Sequence, residues 1–162
     1  MKNTKIISCF SCTGKTYLGN KYDKVLDLEA SHFKWIYNDE EIAKDIEKRK
    51  GVLDRQLNPL YPDNYIKAIK ENINKYDIIL ITPEKKIRDI LLKHKIEYVL
   101  VYPTDYTFVS KRAILRGNNS YFANGLKDSF KTWYPDKNEK VLWESEDEYL
   151  EDVLIKNGII NQ

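Results

Sequence analysis

Short apolar runs alternate along the chain with longer segments in which apolar residues recur at helical spacing. The runs predict five strands, over residues 5–9, 25–31, 77–82, 98–103 and 140–143. The segments between and after them predict helices over residues 15–22, 63–76, 84–95, 105–117, 120–134 and 146–157. Alternating strands and helices are typical of α/β domains, and the nearly continuous run DIILIT predicts a central strand of a parallel sheet, covered on both faces.

Residues 33–62 have the least regular pattern. The stretch 40–57 predicts one helix weakened at Gly51, and the following LNPLYPDN predicts a loop marked by two prolines. Because the chain shows no repeat, low-complexity tract or linker, we expect this segment to belong to a single domain with the rest of the chain.

The first strand leads into SCFSCTGKT, which can serve two kinds of chemistry. Cys9 and Cys12 have the spacing of a redox dithiol. A thioredoxin-like protein also needs a cis-proline loop facing that dithiol, followed by a strand. The TP that ends the third predicted strand is followed by a helical pattern instead, so the redox interpretation is not favoured.

Gly14, Lys15 and Thr16 favour a phosphate-binding loop. Such a loop needs backbone N–H groups that point inward, a lysine that reaches the outer phosphates and a hydroxyl that holds Mg²⁺. The signature GxxxxGK(S/T) has glycine at the position of Cys9, which is a departure. The tripeptide nevertheless lies between a strand and a helix, as the chemistry requires. The alternative is a chance tripeptide with two buried, apolar cysteines.

Composition and charge narrow the possible classes of function. The chain has 162 residues, of which 42% are hydrophobic and 32% charged, as is typical of soluble globular domains. The formal net charge of +2 argues against a general nucleic-acid-binding or membrane-surface protein. The segment KIISCF is too short for a secretory signal, and no run reaches the roughly 20 apolar residues of a membrane span. We therefore expect a cytoplasmic monomer or homodimer without a membrane partner.

Three segments, CFSCTGKTYL, DLEASHF and NPLYPDNYI, carry a resemblance together with the order of the predicted strands. The chain resembles the P-loop kinases of the nucleoside monophosphate kinase and shikimate kinase type, and more narrowly small nucleotide-kinase-like proteins common in phage genomes. The resemblance implies one three-layer α/β P-loop NTPase domain over residues 1–162, with a five-stranded parallel sheet of order 2-3-1-4-5 flanked by helices. It also implies ATP and Mg²⁺ as ligands, an acceptor-covering insertion over residues 33–62, and a lid over residues 105–135.

The resemblance assigns the donor site to the loop after the first strand. Lys15 would bridge the β- and γ-phosphates, and Thr16 would bind Mg²⁺. Asp27 and Glu29 stand where related kinases carry D-x-D, in which an acid orients the acceptor or a metal-bound water, so both are candidate catalytic residues and Asp27 a candidate Mg²⁺ ligand. The third strand ends in Thr82 instead of a Walker B acid. The residues implied to contact ATP are Cys12, Thr13, Gly14, Lys15, Thr16 and Tyr17.

Arginine is rare, with five arginines against 22 lysines, so each arginine is a candidate for bidentate phosphate contact. Arg112 and Arg116 are four residues apart and share one face of a predicted helix, as lid arginines do in the resembled family, so both are candidate catalytic residues. Arg88 follows the third strand, near where related kinases hold the acceptor's phosphate. Arg49 and Arg55 lie in the insertion and are further candidates for substrate binding.

Phe33 begins an alternating aromatic set with Trp35 and Tyr37, directly after the acidic end of the second strand. An acceptor base could stack there, and a plain wall of the core is the alternative.

The combined pattern predicts an ATP-dependent phosphotransferase whose leading acceptor is a nucleoside or deoxynucleoside monophosphate. A second hypothesis is a phosphotransferase that acts on a nucleoside, a small metabolite or a nucleic-acid end, although the small net charge gives a nucleic-acid partner no support. A third hypothesis is that the protein binds or sequesters a nucleotide without catalysis. The two departures from the kinase pattern, at Cys9 and Thr82, keep this third hypothesis open.

Overall fold

The computed structural model describes residues 3–49, 51–118 and 120–161. A parallel sheet has the order β2-β5-β1-β6-β7, while β3 and β4 pair separately as an antiparallel ribbon. Counted along the chain within the parallel sheet, this order is 2-3-1-4-5, so the predicted fold class is confirmed. The strands are β1 (Lys5–Cys9), β2 (Val25–Asp27), β3 (Trp35–Tyr37), β4 (Arg55–Leu57), β5 (Ile78–Ile81), β6 (Val99–Pro103) and β7 (Val141–Glu144).

Helices cover both faces of the parallel sheet. They are α1 (Lys15–Lys21), α2 (Ser31–Lys34), α3 (Glu40–Lys44), α4 (Asp63–Asn72), α5 (Lys85–Lys93), α6 (Tyr106–Leu115), α7 (Ser120–Thr132) and α8 (Leu150–Lys156). Ile78 and Leu80 of β5 pack with α1 and α8, whereas Ile79 and Ile81 pack with α4 and α5. Helices α6 and α7 cover the neighbouring part of that second face, over β6. This burial on both faces explains the continuous apolar run of the third predicted strand.

The insertion differs from the prediction. The helix predicted over 40–57 is wrong: the segment forms α3, a short 3-10 turn over Glu47–Arg49, and β4, which pairs antiparallel with β3. Asp45 is already extended, and Gly51 has a φ of +74°, so the chain turns back there. Since Ile46 is largely exposed, a longer helix would bury little apolar surface, and strand pairing stabilises the segment instead.

Several element ends also differ from the prediction, two of them at the carboxyl edge of the sheet. The second strand ends at Asp27 instead of residue 31, because the chain turns into α2. The last helix begins at Leu150 instead of residue 146, and hydrogen bonds from Ser145 to Glu148 hold the preceding loop. Both changes place polar side chains in loops at the carboxyl edge of the sheet, where ligands of parallel α/β folds bind.

The segment predicted as a lid contains α6 and α7, whose side chains form one apolar cluster over β6. The lid predicted over residues 105–135 includes Asn119, which lies outside the described residues. None of the helices in the described part of the chain combines the length and the apolar character needed to cross a membrane.

Candidate phosphate-binding site

The loop between β1 and α1 is held at the carboxyl edge of the sheet by contacts to β6 and α8 and by a hydrogen bond within the loop. The N–H of Phe10 donates to the carbonyl of Val101 in β6 at 3.2 Å, and the Thr13 hydroxyl donates to the Phe10 carbonyl at 2.7 Å. The N–H of Leu150 in α8 donates to the Thr13 carbonyl at 2.7 Å. Gly14 precedes α1 with a φ of +114°, a conformation that other residues rarely adopt. The loop therefore has a defined shape before any ligand is considered.

The two cysteines occupy different environments in this loop. Cys9 is the last residue of β1, so its backbone is extended and does not require the glycine of the usual signature. Its side chain is fully buried in the core. Cys12 is also buried and has a left-handed φ of 61°. Both thiols are free, and burial raises the pKa of each. Buried, protonated thiols make a redox pair a poor description of this loop.

We expect both cysteines to react slowly with a disulfide reagent such as 5,5′-dithiobis(2-nitrobenzoate) at pH 7.5, because the reactive thiolate is disfavoured at both positions. The release of thionitrobenzoate measures the rate, and the same protein in guanidinium chloride provides the control, since both thiols are then accessible. Rapid reaction of the folded protein, or a native disulfide between Cys9 and Cys12 detected by mass, would contradict this assignment.

A cavity of about 820 Å³ opens in front of the loop. Lys15 lies in its wall, and the ammonium group of that side chain reaches back to the carbonyl of Cys9 at 3.3 Å. Gly14 lies close to the start of α8, where a Cβ atom at residue 14 would be 3.5 Å from the backbone nitrogen of Leu150. The lining residues are Ser11, Cys12, Gly14, Lys15, Thr16, Tyr17, Glu29, Arg112, Leu115, Arg116, Asn118, Phe122, Tyr149, Glu151 and Asp152. Five of the six predicted ATP contacts are in this wall, and the sixth, Thr13, is buried behind it.

Thr16 and Asp27 are brought together by close packing of α1 on β2. A Cβ atom at Gly19 would lie 2.9 Å from the Cβ of Asp27, so glycine permits this approach. The Thr16 hydroxyl is 3.5 Å from Oδ2 of Asp27, and Oδ1 of Asp27 is buried without a hydrogen-bond partner among the described residues. Burial raises the pKa of Asp27, while the charge of Lys15 and the hydrogen bond from Thr16 lower it.

This pair of oxygen groups fits Mg²⁺, which prefers oxygen ligands and usually takes one or two carboxylates together with phosphate and water. Among the described residues no cluster of three or more histidine, cysteine or acidic side chains could hold a metal by itself. A site that depends on the phosphates of a ligand is consistent with both observations.

Glu29 lies in the wall of the cavity two residues beyond Asp27. Its side chain is exposed, and Oε1 accepts a hydrogen bond from the N–H of Ser31 at 3.4 Å. Of the two predicted carboxylates, Glu29 is therefore the one that faces the cavity, whereas Asp27 lies beside Thr16.

The two predicted lid arginines lie in different surroundings. Arg116 is exposed in the wall of the cavity. Arg112 also borders the cavity, but it is buried and forms an ion pair with Glu144 at 2.8 Å. Burial raises the pKa of Glu144 to about 8, and the hydrogen bond and charge of Arg112 act in the opposite direction. Arg112 is therefore fixed inside the fold, whereas Arg116, whose side chain lies beside the Cys12 thiol, is the more exposed guanidinium at the cavity.

The structure does not bring Arg88 to the cavity. Its side chain is 1% exposed and pairs with Glu139 at 3.0 Å. Its NH1 group also donates to the carbonyls of Pro83 and Trp133, both at 2.8 Å. These contacts tie the start of α5 to the loop before β7 and hold Arg88 within the fold, and its contact with an acceptor stays a prediction.

The predicted substrate-binding residues of the insertion each contact an aromatic side chain. Arg49 lies against the Tyr37 ring at 5.4 Å, and Arg55 stacks on Trp35 at 4.0 Å. Phe33 packs edge to face on Tyr65 at 5.3 Å, which matches the alternative of a core wall. None of these side chains belongs to the described lining of the cavity. Their contact with an acceptor therefore stays a prediction.

Glu84 is a buried acid that the sequence analysis did not single out. Its Oε1 pairs with the Lys34 ammonium at 2.9 Å, and its Oε2 accepts hydrogen bonds from Tyr61 and Thr82. Burial raises its pKa, but the hydrogen bonds from Tyr61 and Lys34 hold the pKa below the ordinary value. The contacts fasten both ends of the insertion to the end of β5. The sequence contains one signal for this acid, the tripeptide TPE, which places Glu84 two residues after Thr82, just beyond the end of β5.

The cavity wall also has an apolar part that was not predicted from the sequence. Leu115 at the end of α6, Phe122 in α7 and Tyr149 before α8 all line the cavity and are exposed. Their separation in the sequence hides this grouping, because residues far apart along the chain meet only in the folded protein.

No protein-family model matches the chain. No curated protein matches it either. Among solved structures, it is similar to the crystal structure of a gluconokinase from Sinorhizobium meliloti 1021, with a TM-score of 0.57 and 13% identity, over 98% of this chain and 91% of that chain. At this identity the similarity concerns the fold. Together with the strand order and the loop between β1 and α1, it shows that the chain has a P-loop kinase-like fold.

Proposed function

We propose that the protein is an ATP-dependent phosphotransferase that transfers the γ-phosphoryl group of ATP to a nucleoside or deoxynucleoside monophosphate. The observation that supports the proposal best is a preformed loop ending in Gly14 that faces a cavity of about 820 Å³, with Lys15 and Thr16 in the cavity wall and Asp27 3.5 Å from the Thr16 hydroxyl. Phosphoryl transfer requires mainly positioning and charge stabilisation, and this constellation provides both.

On this proposal, the backbone N–H groups of the loop and the Lys15 ammonium hold the β- and γ-phosphates. Thr16 and Asp27 would hold Mg²⁺, which neutralises phosphate charge when bound. Arg116 compensates further charge as the bond from the γ-phosphorus to the bridging oxygen of ADP breaks and a bond to an acceptor oxygen forms. Glu29, exposed at the same wall, orients the acceptor. The products are ADP and a nucleoside diphosphate.

The test is ATP consumption with Mg²⁺ against ribo- and deoxyribonucleoside monophosphates, with gluconate included because the similar structure is a gluconokinase. Products are identified by mass. We expect ADP formation that depends on at least one monophosphate and yields the matching diphosphate. Transfer to gluconate alone would support a phosphotransferase, but its acceptor would then be gluconate instead of a nucleoside monophosphate. ATP binding without transfer to any acceptor would favour a nucleotide-binding protein instead.

A further inference from the structure

The guanidinium of Arg112 is the meeting point of the phosphate loop and the last part of the sheet. Its NH1 group donates to Oε2 of Glu144 at 2.8 Å and to the carbonyl of Cys12 at 3.3 Å. Its NH2 group donates to the carbonyls of Glu146 at 3.0 Å and Glu148 at 2.5 Å. The side chain thus joins α6 to the phosphate loop, to the end of β7 and to the loop before α8.

Two aromatic rings add to this arrangement. The guanidinium carbon lies 4.1 Å from the centre of the Tyr149 ring and 4.8 Å from that of Phe108. Tyr149 itself lines the cavity beside Gly14, so Arg112 supports one part of the wall from behind. Stacking on both rings leaves the plane of the guanidinium little freedom to turn.

The contact with Cys12 matters most for ligand binding. Cys12 has a left-handed backbone in the middle of the phosphate loop, and the direction of its carbonyl helps to set the direction of the following N–H group. A hydrogen bond from a buried cation to that carbonyl stabilises this conformation without ligand. Arg112 therefore acts on the loop's shape, and its NH1 and NH2 groups are already engaged within the protein.

We propose that Arg112 is a positioning residue for the nucleotide donor, which fixes the Cys12 carbonyl and the Tyr149 ring, while the phosphate contact is made by Arg116. This inference rests on the proposed function, because it assigns the cavity to ATP. The spacing of four residues predicts that Arg112 and Arg116 both contact phosphate. The inference gives that contact to Arg116 and the positioning role to Arg112.

The chain contains a matched control for this inference. Arg88 and Arg112 are both buried arginines in ion pairs with glutamate, but only Arg112 borders the cavity. Lysine keeps the charge and cannot reproduce the planar set of donors, so Arg88→Lys and Arg112→Lys are comparable perturbations. Glu144→Asp provides a third variant, since Glu144 is fully buried behind Arg112 and is not part of the described cavity lining.

The experiment measures the dissociation constant of a non-hydrolysable ATP analogue with Mg²⁺ by calorimetry, at a temperature well below the unfolding midpoint of every variant. We expect Arg112→Lys to weaken binding about tenfold or more, and Glu144→Asp to weaken it a few fold, because a displaced loop loses several phosphate contacts together. Arg88→Lys should bind within about twofold of the wild type even where it unfolds at a lower temperature.

Equal affinity of Arg112→Lys and wild type would overturn the positioning role, as would equal weakening by Arg88→Lys. If Arg112→Lys does not fold, the Glu144→Asp result decides alone, and unchanged affinity there overturns the inference. If the wild type transfers phosphate normally and these variants bind the analogue with wild-type affinity, the inference is wrong and the proposed function stands. A wild type without affinity for the analogue would remove both.

Discussion

Replacing Lys15 with alanine is expected to reduce phosphoryl transfer by at least about 10²- to 10³-fold, which is the usual cost of losing one preorganised group that stabilises developing charge. The Lys15 ammonium lies at the phosphate loop, where it reaches the Cys9 carbonyl at 3.3 Å, and the residue lines the cavity. Initial rates of ADP formation with the best acceptor measure the effect. Because the side chain is partly exposed and has this single contact to the backbone, we expect the free energy of unfolding to change by less than about 1 kcal/mol.

Lys67→Ala is the control for this variant. Lys67 lies on α4, away from the cavity, with a side chain that is 77% exposed and a loose pairing with Glu71 at 3.8 Å. Its removal should leave both transfer and stability close to those of the wild type. Transfer that survives in Lys15→Ala at a rate near that of Lys67→Ala would contradict a phosphate-loop mechanism.

Replacing Arg88 with methionine is expected to lower the free energy of unfolding by about 3–5 kcal/mol, because it leaves one charge of a buried ion pair without its partner. Glu139, the partner, is 5% exposed and also accepts hydrogen bonds from Tyr98 and from the N–H of Asp136. Methionine fills much of the space but offers no donor to the carboxylate. Urea denaturation followed by tryptophan fluorescence measures the loss.

Lys93→Met separates this effect from that of losing any positive charge on α5. Lys93 is exposed on the same helix, so its replacement should change stability by no more than about 0.5 kcal/mol. If Arg88→Met instead kept full stability and weakened binding of the acceptor, the contact with the acceptor that the sequence predicts would stand and the structural role would be wrong.

The local sequence was sufficient to predict the alternation of strands and helices, the central strand and the position of the phosphate loop, whereas the strand order was implied by the family resemblance. Burial of β5 on both faces appears directly as an apolar run, and the order of strands and helices restricts the possible topologies. Gly14, Lys15 and Thr16 are adjacent in the sequence, so their proximity in the fold needed no long-range information. Residues that are adjacent in the sequence stay adjacent in the folded protein, because the backbone joins them. A motif of consecutive residues can therefore be recognised from the sequence alone.

The insertion could not be predicted in the same way. Residues 55–57 form β4 because they meet β3, from which some twenty residues of chain separate them. Glu84 fixes both ends of this segment through Lys34 and Tyr61, which lie on opposite sides of the ribbon in the sequence. Local propensity was too weak to decide the structure there, and contacts between distant residues decided it.

The roles of the arginines depend most clearly on contacts between distant parts of the chain. Their rarity marked them as candidates for phosphate contact, and sequence spacing grouped Arg112 with Arg116. In the folded protein Arg112 meets Glu144 and Arg88 meets Glu139, whereas Arg116 stays exposed at the cavity. A guanidinium binds a protein carboxylate and a ligand phosphate by the same charge and geometry. The sequence by itself determined that such groups were present, and burial next to a carboxylate from a distant strand or loop determined which of them remain available to a ligand.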